Sequence, residues 1–146
     1  MKTIEEELAN LYNELAKIQA QITFLESKSQ NINDILFNYI VKIVCEKENI
    51  TYNKLISSSK KQEYAFSRMT IAKLAHDFTG FNLSKLGKLL GNRHHSTIIH
   101  CIKTVNNSLD IKDNTFANYK YYEQNIRDYR DNLFNQKRNF DTKSVS

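Results

Sequence analysis

Residues 82–107 read NLSKLGKLLGNRHHSTIIHCIKTVNN, and this stretch decides the fold. Leu83, Leu86, Leu89 and Leu90 recur three or four residues apart, the spacing of one helical face. Gly91 follows, a residue that accepts the left-handed backbone of many helix stops. Asn92 and Arg93 are left for a turn. A second periodic run then places Ile98, Cys101, Ile102, Val105 and Leu109 together. At about 100° per residue these five fall within roughly 60° of Ile98. Ser96, His100, Lys103 and Asn107 fall on the other side. Two helices, a glycine turn and a polar outer front describe a helix-turn-helix of the kind that enters a DNA major groove.

Working outward, the chain of 146 residues has 40% hydrophobic residues, no proline and three glycines. That size suits one modest domain with an appendage. The composition predicts an all-α protein, a helix-turn-helix domain of about five to six helices preceded by an N-terminal coiled-coil helix. The expected divisions are a coil over 1–30, the DNA-binding domain over 31–134 and a polar, disordered tail over 135–146.

The coil rests on Ile4, Leu8, Leu11, Leu15, Ile18, Ile22 and Leu25. Their spacing alternates four and three, an unbroken heptad seam. It predicts a homo-oligomer through residues 4–25; the bland alternative is a helix packed on its own domain. The polar segment Ser27–Asn33 reads as a hinge. A helix over Ile32–Lys47 follows. Thr51 then caps a short turn that buries Leu55 and Ile56. The loop Ser57–Glu63 leads to a helix near Tyr64–Thr79, with Ala65, Met69, Ala72, Ala75 and Phe78 inward and Gly80 as its stop. A last helix carries Phe116, Tyr119, Tyr122, Ile126, Tyr129 and Leu133. A tyrosine stripe at that spacing reads as packing surface rather than a base-stacking platform.

The net charge of +5 is uneven. Residues 1–31 carry three lysines against five glutamates, while residues 32–112 carry twelve Lys/Arg against six Asp/Glu. The positive excess therefore lies on the segment with the helix-turn-helix, as a phosphate-binding face requires. Cys45 and Cys101 fall on apolar helix faces and read as reduced, buried thiols. Residues 1–30 lack the apolar core of a signal peptide, and no apolar run nears the about 20 residues of a membrane span. A cytoplasmic protein without membrane contact is expected.

The motif also has a family likeness. Gly91–His100, GNRHHSTIIH, resembles the signature G-G-R-D-H-T-T-V-x-H of the C-terminal DNA-binding domain of DnaA, the bacterial replication initiator. Met69–Ala75 (MTIAKLA) and Leu83–Gly87 (LSKLG) are similar to that domain at the expected separations, and the likeness spans about Asn31–Leu133. The family's nucleotide-binding motif G-x-x-x-x-G-K-[ST] does not occur here, which implies a DNA-reading module without the motor. Three departures stand out: His94 replaces a base-contacting Asp, Ser84 replaces a usual proline, and the arginine-rich minor-groove loop is reduced to Lys60 and Lys61.

Chemistry and resemblance together name the candidate residues. Amides opening the second helix can bind phosphate, and Arg93 is placed for a backbone phosphate. His94, His95 and Ser96 lie in the first turn, nearest base edges. The resemblance implies base contacts by His95 and Ser96, with Thr97 fixing the backbone. His100 and Lys103 would reach phosphates; Lys85, Arg68, Lys60 and Lys61 complete the cationic face, and Lys73 is a weaker candidate. His95 and His100 are five apart and diverge by about 140°, a poor zinc pair. No carboxylate pair accompanies the histidines, so neither metal, cofactor nor enzyme activity is expected. The leading expectation is sequence-specific double-stranded DNA binding in replication initiation or its control. The alternative is an adaptor that binds replication proteins through the coil and the last helix.

Overall fold

The computed structural model describes the backbone of residues 3–145 and side chains from 3 to 135, Gln30 excepted. Six helices are present among them: α1 (Ile4–Glu48), α2 (Tyr52–Leu55), α3 (Gln62–Thr79), α4 (Leu83–Leu89), α5 (His95–Asp110) and α6 (Tyr119–Val145). The chain divides into two compact units, residues 1–32 and 33–146.

With no proline and few glycines, the helices need other stops. Gly80 closes α3 at φ +68°, but Asn49, Asn92 and Lys112 also adopt φ near +55°. Asparagine tolerates the left-handed region better than most residues. At Asn49 the next amide, Ile50 N, donates back to Cys45 O at 3.0 Å, a Schellman closure. N-caps act at the other ends. Thr51 Oγ1 accepts Lys54 N–H at 3.3 Å, and Asn82 Oδ1 accepts Lys85 N–H at 2.8 Å.

In the larger unit α3 is the central rod, packed against α2, α4, α5 and α6. Its burial is wider than the expected stripe. Ile71 and Leu74 are fully buried along with Ala72 and Ala75, whereas Ala65, Met69 and Phe78 are only half-buried. The rest of the core is Phe37, Ile40 and Val44 of α1, Leu55 of α2, Leu86 of α4, Ile98 and Val105 of α5, and Tyr122 and Ile126 of α6. Each such aliphatic side chain contributes about 1.5–3 kcal/mol on burial. Three tyrosines of α6 serve packing: Tyr119 and Tyr122 are buried, Tyr129 stacks on Tyr39 at 3.9 Å, and the Tyr122 hydroxyl donates to Glu48 Oε1 at 2.6 Å.

Helix runs through two segments where none is expected. The backbone of Ser27–Asn33 is helical within α1, where a break is expected; polar residues other than glycine and proline carry only a small helix penalty. The backbone of residues 135–145 belongs to α6, which runs to Val145, and Ser146 lies outside the described residues. In the smaller unit Ile4, Leu8, Leu11, Leu15, Ile18, Ile22 and Leu25 are all exposed, from 46% to 77%.

Candidate nucleic-acid interface

The site is built from α4, a turn and α5. Leu86 and Leu90 hold the first helix to the core, and Ile98, Cys101 and Val105 hold the second. The crossing is close because Gly87 has no side chain. A Cβ there would run into the Arg93 carbonyl oxygen, while Arg93 N–H donates to Gly87 O at 2.8 Å. Gly91, at φ +94°, serves a second approach: a Cβ would meet the Ile56 carbonyl of the preceding loop. Two of the three glycines are thus needed where backbone meets backbone.

His94 is the N-cap of α5. Its Nδ1 accepts the Ser96 N–H at 3.2 Å and lies 2.8 Å from Ser96 Oγ. Accepting at Nδ1 leaves the proton of a neutral ring on Nε2. The His95 ring lies against it, centroids 4.1 Å apart. Beyond the cap, His95, Ser96, Thr97, His100, Lys103 and Asn107 are all exposed. The apolar back is packed and the polar front stands in solvent.

The cations divide into two groups. Lys60, Lys61 and Lys103 are exposed. Lys85 is exposed too, although its Nζ lies 3.5 Å from Asp34 and 3.9 Å from the Phe81 ring centre. Lys73 is taken by Asp77 at 2.7 Å. Arg68 and Arg93 turn inward. Arg68, expected to face phosphates, is 8% exposed and donates to the carbonyls of Leu55 at 3.0 Å, Ser57 at 3.4 Å and Ser59 at 3.1 Å. Arg93, expected at a phosphate, is half-buried and donates to Leu90 O and, at 2.9 Å, to Ser57 O. The reason is the same for both: unpaired backbone carbonyls of the turn and loop need donors. Burial, and then the neighbouring Arg93 charge, lower the pKa of Arg68. Burial raises the Cys101 thiol behind them, against the opposing pull of the two arginines.

A groove of about 540 Å³ opens beside His95, lined also by His76, Phe81, Asn82, Leu83 and Ser84. Among the described residues no three His, Cys, Asp or Glu side chains gather as a metal site, and no helix is long and apolar enough to cross a membrane.

The model of the bacterial DnaA protein helix-turn-helix matches residues 37–105. Residues 37–105 of this chain are thus similar to the DnaA-type helix-turn-helix. Its relatives include the chromosomal replication initiator protein DnaA of Bacteroides thetaiotaomicron, 35% identical over 86 residues. That match covers 59% of this chain and 17% of the relative. DnaA of Bacteroides fragilis is 30% identical over 95 residues, and DnaA of Chlorobaculum tepidum 35% over 86. The chain spans less than a fifth of the length of these relatives, 17–19%. No solved structure matches the chain.

Beside that likeness, the departures acquire physical meaning. His94 occupies an Asp position and still caps, because an imidazole nitrogen can accept where a carboxylate oxygen would. Ser84 stands in the first turn of α4 in place of a proline, and Asn82 supplies the start signal instead. Three roles are not read from the sequence: Gly87 as a close backbone approach, His76 in the groove beside His95, and Arg68 as a loop anchor. Only Gly87 carries a signal, a glycine inside a leucine-rich helix, which marks close backbone approach.

Proposed function

We propose that this chain binds double-stranded DNA sequence-specifically, laying α5 in the major groove, and serves replication initiation or its regulation. The observation that carries this is the exposed polar front of α5 over a back that is buried at Ile98 and Val105. His95 and Ser96 read base edges, and Thr97 fixes the backbone. His100 and Lys103 meet phosphates along the groove, while Lys85, Lys60 and Lys61 extend the cationic face. Arg68 and Arg93 are left out of direct contact, since their donors are engaged. The role is binding, with no catalytic step in this domain. Residues 4–25 join copies through the seam, and joined reading heads gain avidity on repeated sites. One observation favours the adaptor reading: two cations of the motif are turned inward, which weakens a DNA face.

Selecting bound duplexes from a random pool tests the proposal. A recovered consensus, weakened by His95→Ala, is the expected result. A protein that retains no duplex even at low salt is an adaptor instead.

A further inference from the structure

Two guanidinium groups converge on one backbone oxygen. The Ser57 carbonyl accepts from Arg93 Nη2 at 2.9 Å and from Arg68 Nη1 at 3.4 Å. Arg68 also holds Leu55 O and Ser59 O, and Arg93 also holds Leu90 O. Among the described residues neither arginine forms an ion pair. Two like charges are therefore held together by carbonyl dipoles alone, an arrangement that needs each donor in place. The backbones meet at the same point, since Gly91 faces the Ile56 carbonyl with no room for a side chain.

We propose that Arg68 and Arg93 are positioning residues that clamp the Ser57–Lys61 loop to the helix-turn-helix turn, so that Lys60 and Lys61 engage DNA as one body with α5. Arginine suits this: a planar fork with five donors spans two or three carbonyls, whereas a lysine ammonium is a single point. The loop has few bonds of its own. Ser59 N–H and Lys61 N–H donate only to the Ser57 and Ser59 hydroxyls, each at 3.3 Å. Without the clamp its lysines lose a fixed distance from the recognition helix. The consequence for DNA rests on the reading above; the clamp itself does not.

The test therefore has two arms, both on the full chain. The first is amide hydrogen exchange without DNA, comparing wild type with Arg93→Lys and Arg68→Lys. Exchange at Ser59 and Lys61 is expected to quicken at least tenfold in Arg93→Lys, although that substitution lies in the other segment, while Ile71 and Leu74 stay protected. Unchanged exchange at Ser59 and Lys61 overturns the clamp. The second arm measures affinity against salt on a selected duplex, with and without Lys60→Ala/Lys61→Ala. In the wild-type background the double substitution should make the log–log slope shallower by about 0.9 for each phosphate it leaves unneutralised; in Arg93→Lys it should change the slope by less than half as much. Equal changes in both backgrounds show a merely structural arginine and overturn the coupling. If wild type binds no duplex, the DNA reading falls and the exchange arm alone decides the clamp.

Discussion

The imidazole Nδ1 of His94 accepts the backbone N–H of Ser96 at 3.2 Å and so caps the recognition helix. The cap sets where α5 begins and therefore which side chains form its exposed first turn. His94→Ala removes it and should cost about 1 kcal/mol in urea unfolding. His94→Asp should keep the cap and add about 0.3–1 kcal/mol from the helix dipole. Duplexes selected by the Asp variant should also differ from those of wild type at one base position.

Gly87 and Gly80 make a matched pair. Gly80 has φ +68° and open space around its Cβ position, whereas Gly87 faces the Arg93 carbonyl. Gly80→Ala should cost about 1–2 kcal/mol, the penalty of a left-handed alanine. Gly87→Ala should cost about 3 kcal/mol by overpacking and should push α4 from α5. Thermal unfolding checks the order. DNA binding by the folded fraction should fall only in the Gly87 variant.

The two buried phenols of α6 predict alkaline instability. Burial, first among the causes, raises the pKa of Tyr119 and Tyr122 well above the ordinary 10.0, and Glu48 adds to it at Tyr122. The folded state thus holds these protons more tightly than the unfolded chain. Their contribution is fully present below about pH 10 and is lost as pH climbs above it. The urea midpoint should drop above pH 10 more steeply in wild type than in Tyr119→Phe/Tyr122→Phe. At neutral pH, Tyr122→Phe alone should cost about 1.5–3 kcal/mol, because it deletes a hydrogen bond to a carboxylate.

The exposed seam predicts self-association. Leu15 is 49% exposed and Leu11 61% in a single chain, yet both hold core positions of the heptad. Leu11→Asp/Leu15→Asp should shift the sedimentation coefficient to that of a monomer and weaken binding to a duplex with two sites far more than to one with a single site. A wild-type chain that sediments as a monomer at all concentrations would remove the oligomer from the proposal.

Periodicity and cap chemistry are legible in the sequence because they are short-range. Leu86, Leu90, Ile98 and Val105 all lie buried where their spacing puts them; Thr51 caps as its type suggests, and Gly80 stops α3. Ser27–Asn33 reads as a hinge because polarity resembles a break, but polar side chains do not by themselves stop a helix. The arginines mislead for another reason. A long cationic side chain reaches either outward to a phosphate or inward to a carbonyl, and helical spacing does not distinguish the two.

By itself, then, the order of residues determined the helical segments, a helix-turn-helix with an apolar back, and a heptad seam at the N-terminus. Each of these depends on neighbours within about two turns. Tertiary structure alone decided that Arg68 and Arg93 serve the loop at Ser57, and that Gly87 must be small. Those depend on a carbonyl 36 residues from one donor and 11 from the other, and on how closely two backbones meet. Unsatisfied backbone oxygens claim the nearest strong donor, and which donor is nearest is known only once the chain has folded.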